Sequence, residues 1–190
     1  MRFKFKLKYI PNILSAIRIM LVPVFIHLFY AYYESNIYLP LGVFLFAGVT
    51  DILDGYLARR NNWITNLGKL LDPLADKLMQ CSVLICFATK NTVLWWLAAT
   101  FIAKELFMIC GAIITFKKIK VTVRSRWYGK ITTAAFYAIA FCVFIFGMDG
   151  KRAFAIFIPV LIFELVCMVM YIFDTLRIND EKKKEENKNI

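Results

Sequence analysis

The chain has 190 residues, enough for one domain. Apolar residues make up 61% of it, with 18 phenylalanines, and that excludes an ordinary soluble domain, in which the apolar share is nearer half. The formal net charge of +11 would suit a nucleic-acid binder, but its distribution along the chain excludes that reading too.

Six mostly apolar stretches, each about 20 residues long, follow one another and predict six membrane-spanning helices. They cover residues 12–33, 37–57, 68–89, 94–116, 127–148 and 153–173. The first follows Arg2, Lys4, Lys6 and Lys8 as a signal peptide would, but its apolar run is long and lacks a small-residue cleavage site, so a retained helix is expected. Residues 1–11 alternate basic and apolar and are read as an interfacial segment. Residues 1–175 then form one transmembrane domain, and residues 176–190 form a charged cytoplasmic tail, solvated and frayed over residues 179–190. With the N-terminus cytoplasmic, the inside segments carry Arg59, Arg60 and Lys69, then Lys117, Lys118, Lys120, Arg124, Arg126 and Lys130, then Arg177 and Lys182 to Lys184. The outside loops hold only Lys90, Lys151 and Arg152. That alternation is the positive-inside pattern for an even number of spans with both ends inside. The fold class is therefore all-α and polytopic.

Cys81, Cys86, Cys110, Cys142 and Cys167 fall inside the spans without metal-ligand spacing and are read as buried apolar side chains. His27 is read as a packed or hydrogen-bonded histidine. Glu164 either pairs with Lys104 or stabilises a helix contact.

Ionisable residues inside a membrane are costly and need a partner or a task. Asp51 and Asp54 are three residues apart on the second helix, and Asp72 and Asp76 are four apart on the third, so each pair shares a helix face. Asp54 lies about 7 Å of helix rise from the cytoplasmic end of its helix and Asp72 about 6 Å from its own. Antiparallel neighbours would bring the pairs face to face at one depth. Four converging carboxylates repel one another unless a cation intervenes, and hard oxygen donors select Mg²⁺ or Mn²⁺, with two ions expected. The alternative is a set of helix-packing hydrogen bonds with some aspartates protonated. Gly55, Ala58 and Gly68 leave room beside the carboxylates, or else serve close helix packing. Arg59 stands at the lip as a phosphate partner.

Asp51-Ile-Leu-Asp54-Gly55-Tyr-Leu-Ala58-Arg59, then eight residues, then Gly68-Lys-Leu-Leu-Asp72-Pro-Leu-Ala-Asp76 resembles the signature of the CDP-alcohol phosphotransferases at every fixed position. The resemblance implies that Asp51, Asp54, Asp72 and Asp76 hold the metal ions, which clamp the pyrophosphate of CDP-diacylglycerol. It implies that Asp51, Gly55, Ala58, Arg59 and Gly68 form the nucleotide site, and that Asp76 is the catalytic base. An acceptor hydroxyl would then attack the phosphorus bearing the lipid and expel CMP.

The Ile10-Pro11-Asn12-Ile-Leu-Ser15-Ala-Ile-Arg18 opening and the Leu71–Lys77 segment are similar to the phosphatidylglycerophosphate synthase branch, whose acceptor is glycerol 3-phosphate. Lys104, Arg124, Arg126 and Lys130 are the candidate partners for that acceptor's phosphate. Two features depart from the branch: Lys104-Glu105 stands where Arg-Glu is usual, and Gly129-Lys130-Ile131-Thr132-Thr133 where Gly-Lys-x-Lys-Thr is usual. Cardiolipin synthases of the same fold, with phosphatidylglycerol as acceptor, share the Asp-Pro-Leu-Ala-Asp-Lys segment and remain the alternative. Family resemblance also implies a homodimer. A Mg²⁺ transporter would spread its acidic residues across the membrane, and a structural anchor would not carry four uncompensated carboxylates.

Overall fold

The computed structural model describes residues 10–61, 68–119 and 127–188. Every described element is helical: α1 (Ile10–Tyr32), α2 (Tyr38–Arg60), α3 (Gly68–Lys90), α4 (Leu94–Ile119), α5 (Trp127–Phe146) and α6 (Gly150–Lys188). A membrane leaves no water to satisfy open backbone groups, so apolar segments of this length close their hydrogen bonds internally as helices. The interfacial segment expected over residues 1–11 lies largely outside the described residues.

Four stretches are long and apolar enough to cross a membrane: Asn12–Tyr32, Tyr38–Leu57, Leu94–Gly111 and Gly150–Met170. Ile131–Phe146 in α5 is a shorter apolar stretch. α3 is the least apolar candidate because Asp72, Asp76 and Lys77 lie within it. The chain is thus a multi-pass membrane protein, all-helical in its described elements. The charged end of the chain differs from expectation: α6 continues to Lys188 rather than fraying after residue 178. Lys and Glu are good helix formers, and their mixture over residues 181–186 prolongs a helix that is already nucleated.

The ends of the helices follow local chemistry. The Asn36 side-chain oxygen accepts from the Tyr38 N–H at 3.2 Å and opens α2. Gly147 adopts a φ of 51° and stops α5. Asp149 then accepts from the Arg152 N–H at 3.3 Å, capping α6. At Gly150 a Cβ would meet the Asn91 side chain at 2.7 Å, so only glycine lets the start of α6 close on the α3–α4 turn.

Neighbouring helices form a ring in the order α1, α3, α4, α6, α5, α2, with the α5–α2 contact the slightest. α2 and α3, expected to pack directly as antiparallel neighbours, touch only slightly, because α1 lies between them. One end of the bundle is sealed by aromatic rings. Phe25 and Phe29 of α1, Phe44 of α2, Phe87 of α3 and Phe144 of α5 are all buried. Phe144 lies 4.8 Å from Phe87, 5.8 Å from Phe44 and 6.2 Å from Phe25, centroid to centroid. Phe101, Phe136 and Phe157 continue the packing between α4, α5 and α6.

His27 is exposed on α1 rather than packed inside the bundle, because the inward stripe of that helix is filled by Ser15, Arg18, Phe25 and Phe29. Of the five cysteines, all free, only Cys86 is buried; Cys110 is exposed and the others are half-buried. Exposed apolar groups are at no disadvantage against lipid, so burial within the protein was not needed to explain them.

Candidate active site

The end opposite the aromatic seal collects the carboxylates. Asp51 and Asp54 lie late in α2, and Asp72 and Asp76 early in α3. Asp54 and Asp76 are buried, while Asp51 and Asp72 are half-buried. The four share one electrostatic environment, with Asp51 within reach of each of the other three.

α1 joins the two aspartate pairs. Arg18 is completely buried and places its guanidinium between the α2 carboxylates, donating Nη1 to Asp51 Oδ1 at 2.5 Å and Nη2 to Asp54 Oδ2. One turn earlier on the same face, the Ser15 hydroxyl donates to Asp72 Oδ1. The Gly55 backbone N–H also donates to Asp54. Buried carboxylates of this kind need such donors, since isolated charges are strongly disfavoured out of water.

Asp76 is held differently. Its Oδ2 receives the Gln80 amide and the Thr133 hydroxyl, each at 3.5 Å, whereas the buried Oδ1 has no hydrogen-bond partner among the described residues. A buried carboxylate oxygen left available in this way suits a group that accepts a proton or a ligand. Tyr137, stacked on Phe44 at 4.8 Å, brings its ring to the same side and lies within electrostatic reach of Asp76.

A second set of buried charges lies between α3, α4 and α6. Lys104 bridges Glu105 Oε1 at 2.5 Å and Glu164 Oε2 at 2.9 Å. Lys77 reaches the same Glu105 oxygen at 3.0 Å. Both ammonium groups lie over the Phe101 ring, at 4.8 Å for Lys104 and 5.6 Å for Lys77. Glu164 therefore does pair with Lys104.

The structure brings together the four aspartates, Gly55 and, through Arg18 and Ser15, the first helix. The side chains of Ala58, Arg59 and Lys130 and the surroundings of Gly68 lie outside what the structure describes, although all four positions are helical. Arg124 and Arg126 lie wholly outside them. Lys104 is described, and its ammonium group is already engaged by two carboxylates. Arg18, Ser15, Lys77, Gln80 and Thr133 are site residues without an assigned role in the sequence reading. Arg18 carried a usable signal, as the one charge in a long apolar run. Gln80 and Thr133 carried none, since they become relevant only when α3 and α5 are brought together.

The donor set of the site is entirely oxygen, the hard chemistry that Mg²⁺ and Mn²⁺ prefer. Among the described residues, no three acidic, histidine or cysteine side chains already enclose a point where an ion would sit, because Arg18 takes two of the carboxylates. The available oxygen of Asp76 and the excess of carboxylates over cations nevertheless fit a divalent ion.

The chain is 36% identical over 147 residues to a Rickettsia typhi protein named CDP-diacylglycerol–glycerol-3-phosphate 3-phosphatidyltransferase, covering 76% of this chain and 80% of that one. An Escherichia coli K12 protein of the same name is 36% identical over 140 residues, covering 69% and 74%. A Pseudomonas fluorescens protein, also of that name, is 43% identical over 99 residues, about half the length of each chain at 51%. The family model for CDP-alcohol phosphatidyltransferases matches residues 8–174. That match takes in Ser15, Arg18 and all four aspartates, and the chain belongs to the CDP-alcohol phosphatidyltransferase family.

Proposed function

We propose that the chain is a membrane phospholipid synthase that transfers a phosphatidyl group from CDP-diacylglycerol to glycerol 3-phosphate, giving phosphatidylglycerophosphate and CMP. The observation that carries this reading is the gathering of four membrane-embedded carboxylates at one end of the bundle, in a chain whose relatives bear the name of that activity.

Asp51, Asp54, Asp72 and Asp76 would hold Mg²⁺ or Mn²⁺, as two ions, which would supply charge stabilisation on the pyrophosphate oxygens. Arg18 and Ser15 keep the carboxylates of α2 and α3 in register from the intervening helix. Gly55, with Ala58, Arg59 and Gly68 on the same helix ends, would shape the nucleotide site beside Asp51. Asp76 takes the proton from the acceptor hydroxyl. The acceptor oxygen forms a bond to the phosphorus that carries diacylglycerol, the bond from that phosphorus to the CMP oxygen breaks, and CMP leaves with the electron pair. Arg124, Arg126 and Lys130 are the cations proposed for the acceptor's phosphate. Lys104, the fourth candidate, would have to leave Glu105 and Glu164 to reach it.

All six helices cross the bilayer in this reading, with both termini and the aspartate end cytoplasmic. Helix length supports it: at 1.5 Å per residue, the 23 residues of α3 and the 20 of α5 span about 35 and 30 Å, a hydrocarbon thickness. The alternation of basic segments supports the orientation. A homodimer is proposed from family resemblance.

The test is purified protein with CDP-diacylglycerol, Mg²⁺ or Mn²⁺ and, in parallel, glycerol 3-phosphate or phosphatidylglycerol, following CMP and the lipid product. Phosphatidylglycerophosphate is the expected product. Cardiolipin instead would keep the site and reassign the acceptor; no CMP with any alcohol would overturn the proposal.

A further inference from the structure

Asp76 must present one oxygen at a fixed angle if it is to receive a proton, and a carboxylate on a helix can rotate. Gln80, from one turn along α3, and Thr133, from α5, both act on Oδ2, and the Tyr137 hydroxyl of α5 lies against the same carboxyl group. The Gln80 amide can do this only with its NH₂ group facing Asp76; flipped, its carbonyl oxygen would face a carboxylate. The other end of that amide decides the matter. Lys77 donates to Gln80 Oε1 at 3.1 Å, and an ammonium group can only donate, so the amide oxygen is committed to Lys77 and the NH₂ to Asp76.

Lys77 is in turn committed to Glu105 at 3.0 Å. Glu105 is shared with Lys104, and Lys104 is tied to Glu164 on α6. Lys104, Glu105 and Glu164 are buried and Lys77 is half-buried, so alternative pairings would strand a charge. The result is a continuous chain of contacts from α6 through α4 to the acid on α3.

We propose that Gln80 is a positioning residue for Asp76, and that the Glu164–Lys104–Glu105–Lys77 ladder fixes which end of the Gln80 amide faces that carboxylate. The inference rests on the reading of Asp76 as the group that takes the acceptor's proton. Lys104 then acts as the ladder's counter-charge. The 3.5 Å contact from Gln80 to Asp76 is long in the free protein, as catalytic hydrogen bonds often are before substrate arrives.

The experiment measures CMP release by the full chain in nanodiscs, with kcat and KM for CDP-diacylglycerol and glycerol 3-phosphate. Two variants are compared with wild type. Gln80→Met keeps the volume and removes both hydrogen bonds. The double variant Lys77→Met/Glu105→Met removes the near half of the ladder while leaving Lys104 and Glu164 paired, so it avoids an unbalanced buried charge. In both, kcat is expected to fall about ten- to a hundredfold, the scale of a slightly misplaced reacting group, with both KM values within about twofold of wild type. A merely structural role would lower the amount of folded protein without this split. Wild-type kcat in a folded Gln80→Met protein, or a rise in the KM for glycerol 3-phosphate at unchanged kcat, overturns the inference. Asp76→Asn separates the two levels. If it retains activity, the assignment of Asp76 itself fails; if it is inactive while Gln80→Met turns over normally, only the positioning role fails.

Discussion

Among the described residues, the aspartate end of the bundle pairs its four carboxylates with the guanidinium of Arg18, whereas the cluster between α3, α4 and α6 sets two ammonium groups against two carboxylates. Both are at least partly withdrawn from water, since Asp54, Asp76, Lys104, Glu105 and Glu164 are buried. The second is neutral as it stands and needs nothing from outside, which is how a buried ion network behaves when its task is to position or to stabilise. The first is short of positive charge, and neighbouring carboxylates in a poorly solvated site must either share protons or gather cations. Among the described residues that excess of negative charge is what the proposed metal ions would offset, and on that proposal the aspartate end is the reactive one and the ladder supports it.

The largest expected effect separates the two regions by activity. Asp76→Asn should lower kcat by about 10² to 10⁴, the usual contribution of a proton-transfer group, while the protein elutes and unfolds like wild type. Full activity in this variant would remove the proposed base. Next comes stability. Arg18→Leu leaves the buried Asp54 without its cation and should cost about 3–5 kcal/mol in denaturant unfolding without divalent ions. Lys104→Met should cost a similar about 3–5 kcal/mol, but Lys104→Met combined with Glu164→Leu should recover most of it, since a neutral cluster can be replaced by apolar side chains. The same recovery is not expected at the aspartate end when one carboxylate is removed together with Arg18, because three others remain. Equal recovery at both ends would erase the distinction.

Smaller effects test the frame around them. Gly150→Ala pushes a Cβ to 2.7 Å from Asn91, and about 1–3 kcal/mol of overpacking should appear as a lower Tm with KM unchanged. The smallest effect lies at the other end of the molecule, where Lys90 bridges Glu34 at 2.6 Å in the exposed turn. Lys90 holds the Glu34 carboxyl below its ordinary pKa. A lowered folded-state pKa means that any stabilisation is present above the ordinary carboxylate range and is lost as pH falls through the folded-state value. Glu34→Gln should therefore lower Tm marginally at neutral pH and not at all in acid. A difference that grows in acid would contradict the sign.

Much of this is legible in the sequence. Apolar runs of membrane length set the helices to within a few residues over most of the chain, because backbone hydrogen bonding in lipid admits little else. The aspartates were legible because i, i+3 and i, i+4 spacing fixes a shared face whatever the neighbours are. Helix order in space was not. Chain adjacency argued for α2 on α3, and nothing local indicates that α1 intervenes, although Arg18 in its apolar run was the mark it left. The pairing of Lys104 with Glu164 spans 60 residues, and the sequence offered it only as one option of two. His27 went the other way: a polar residue in a span suggested burial, but α1 had already filled its inward stripe.

The central claim is that the aspartate end is a cation site and the ladder is not. Titrating Mn²⁺ into the purified protein and counting bound ions by electron paramagnetic resonance tests this without turnover. The account predicts two bound ions in wild type, loss of binding in Asp51→Asn, Asp54→Asn and Asp72→Asn, and undiminished binding in Lys104→Met/Glu164→Leu. Failure of wild type to bind Mn²⁺, or binding that survives all three aspartate substitutions, would contradict it.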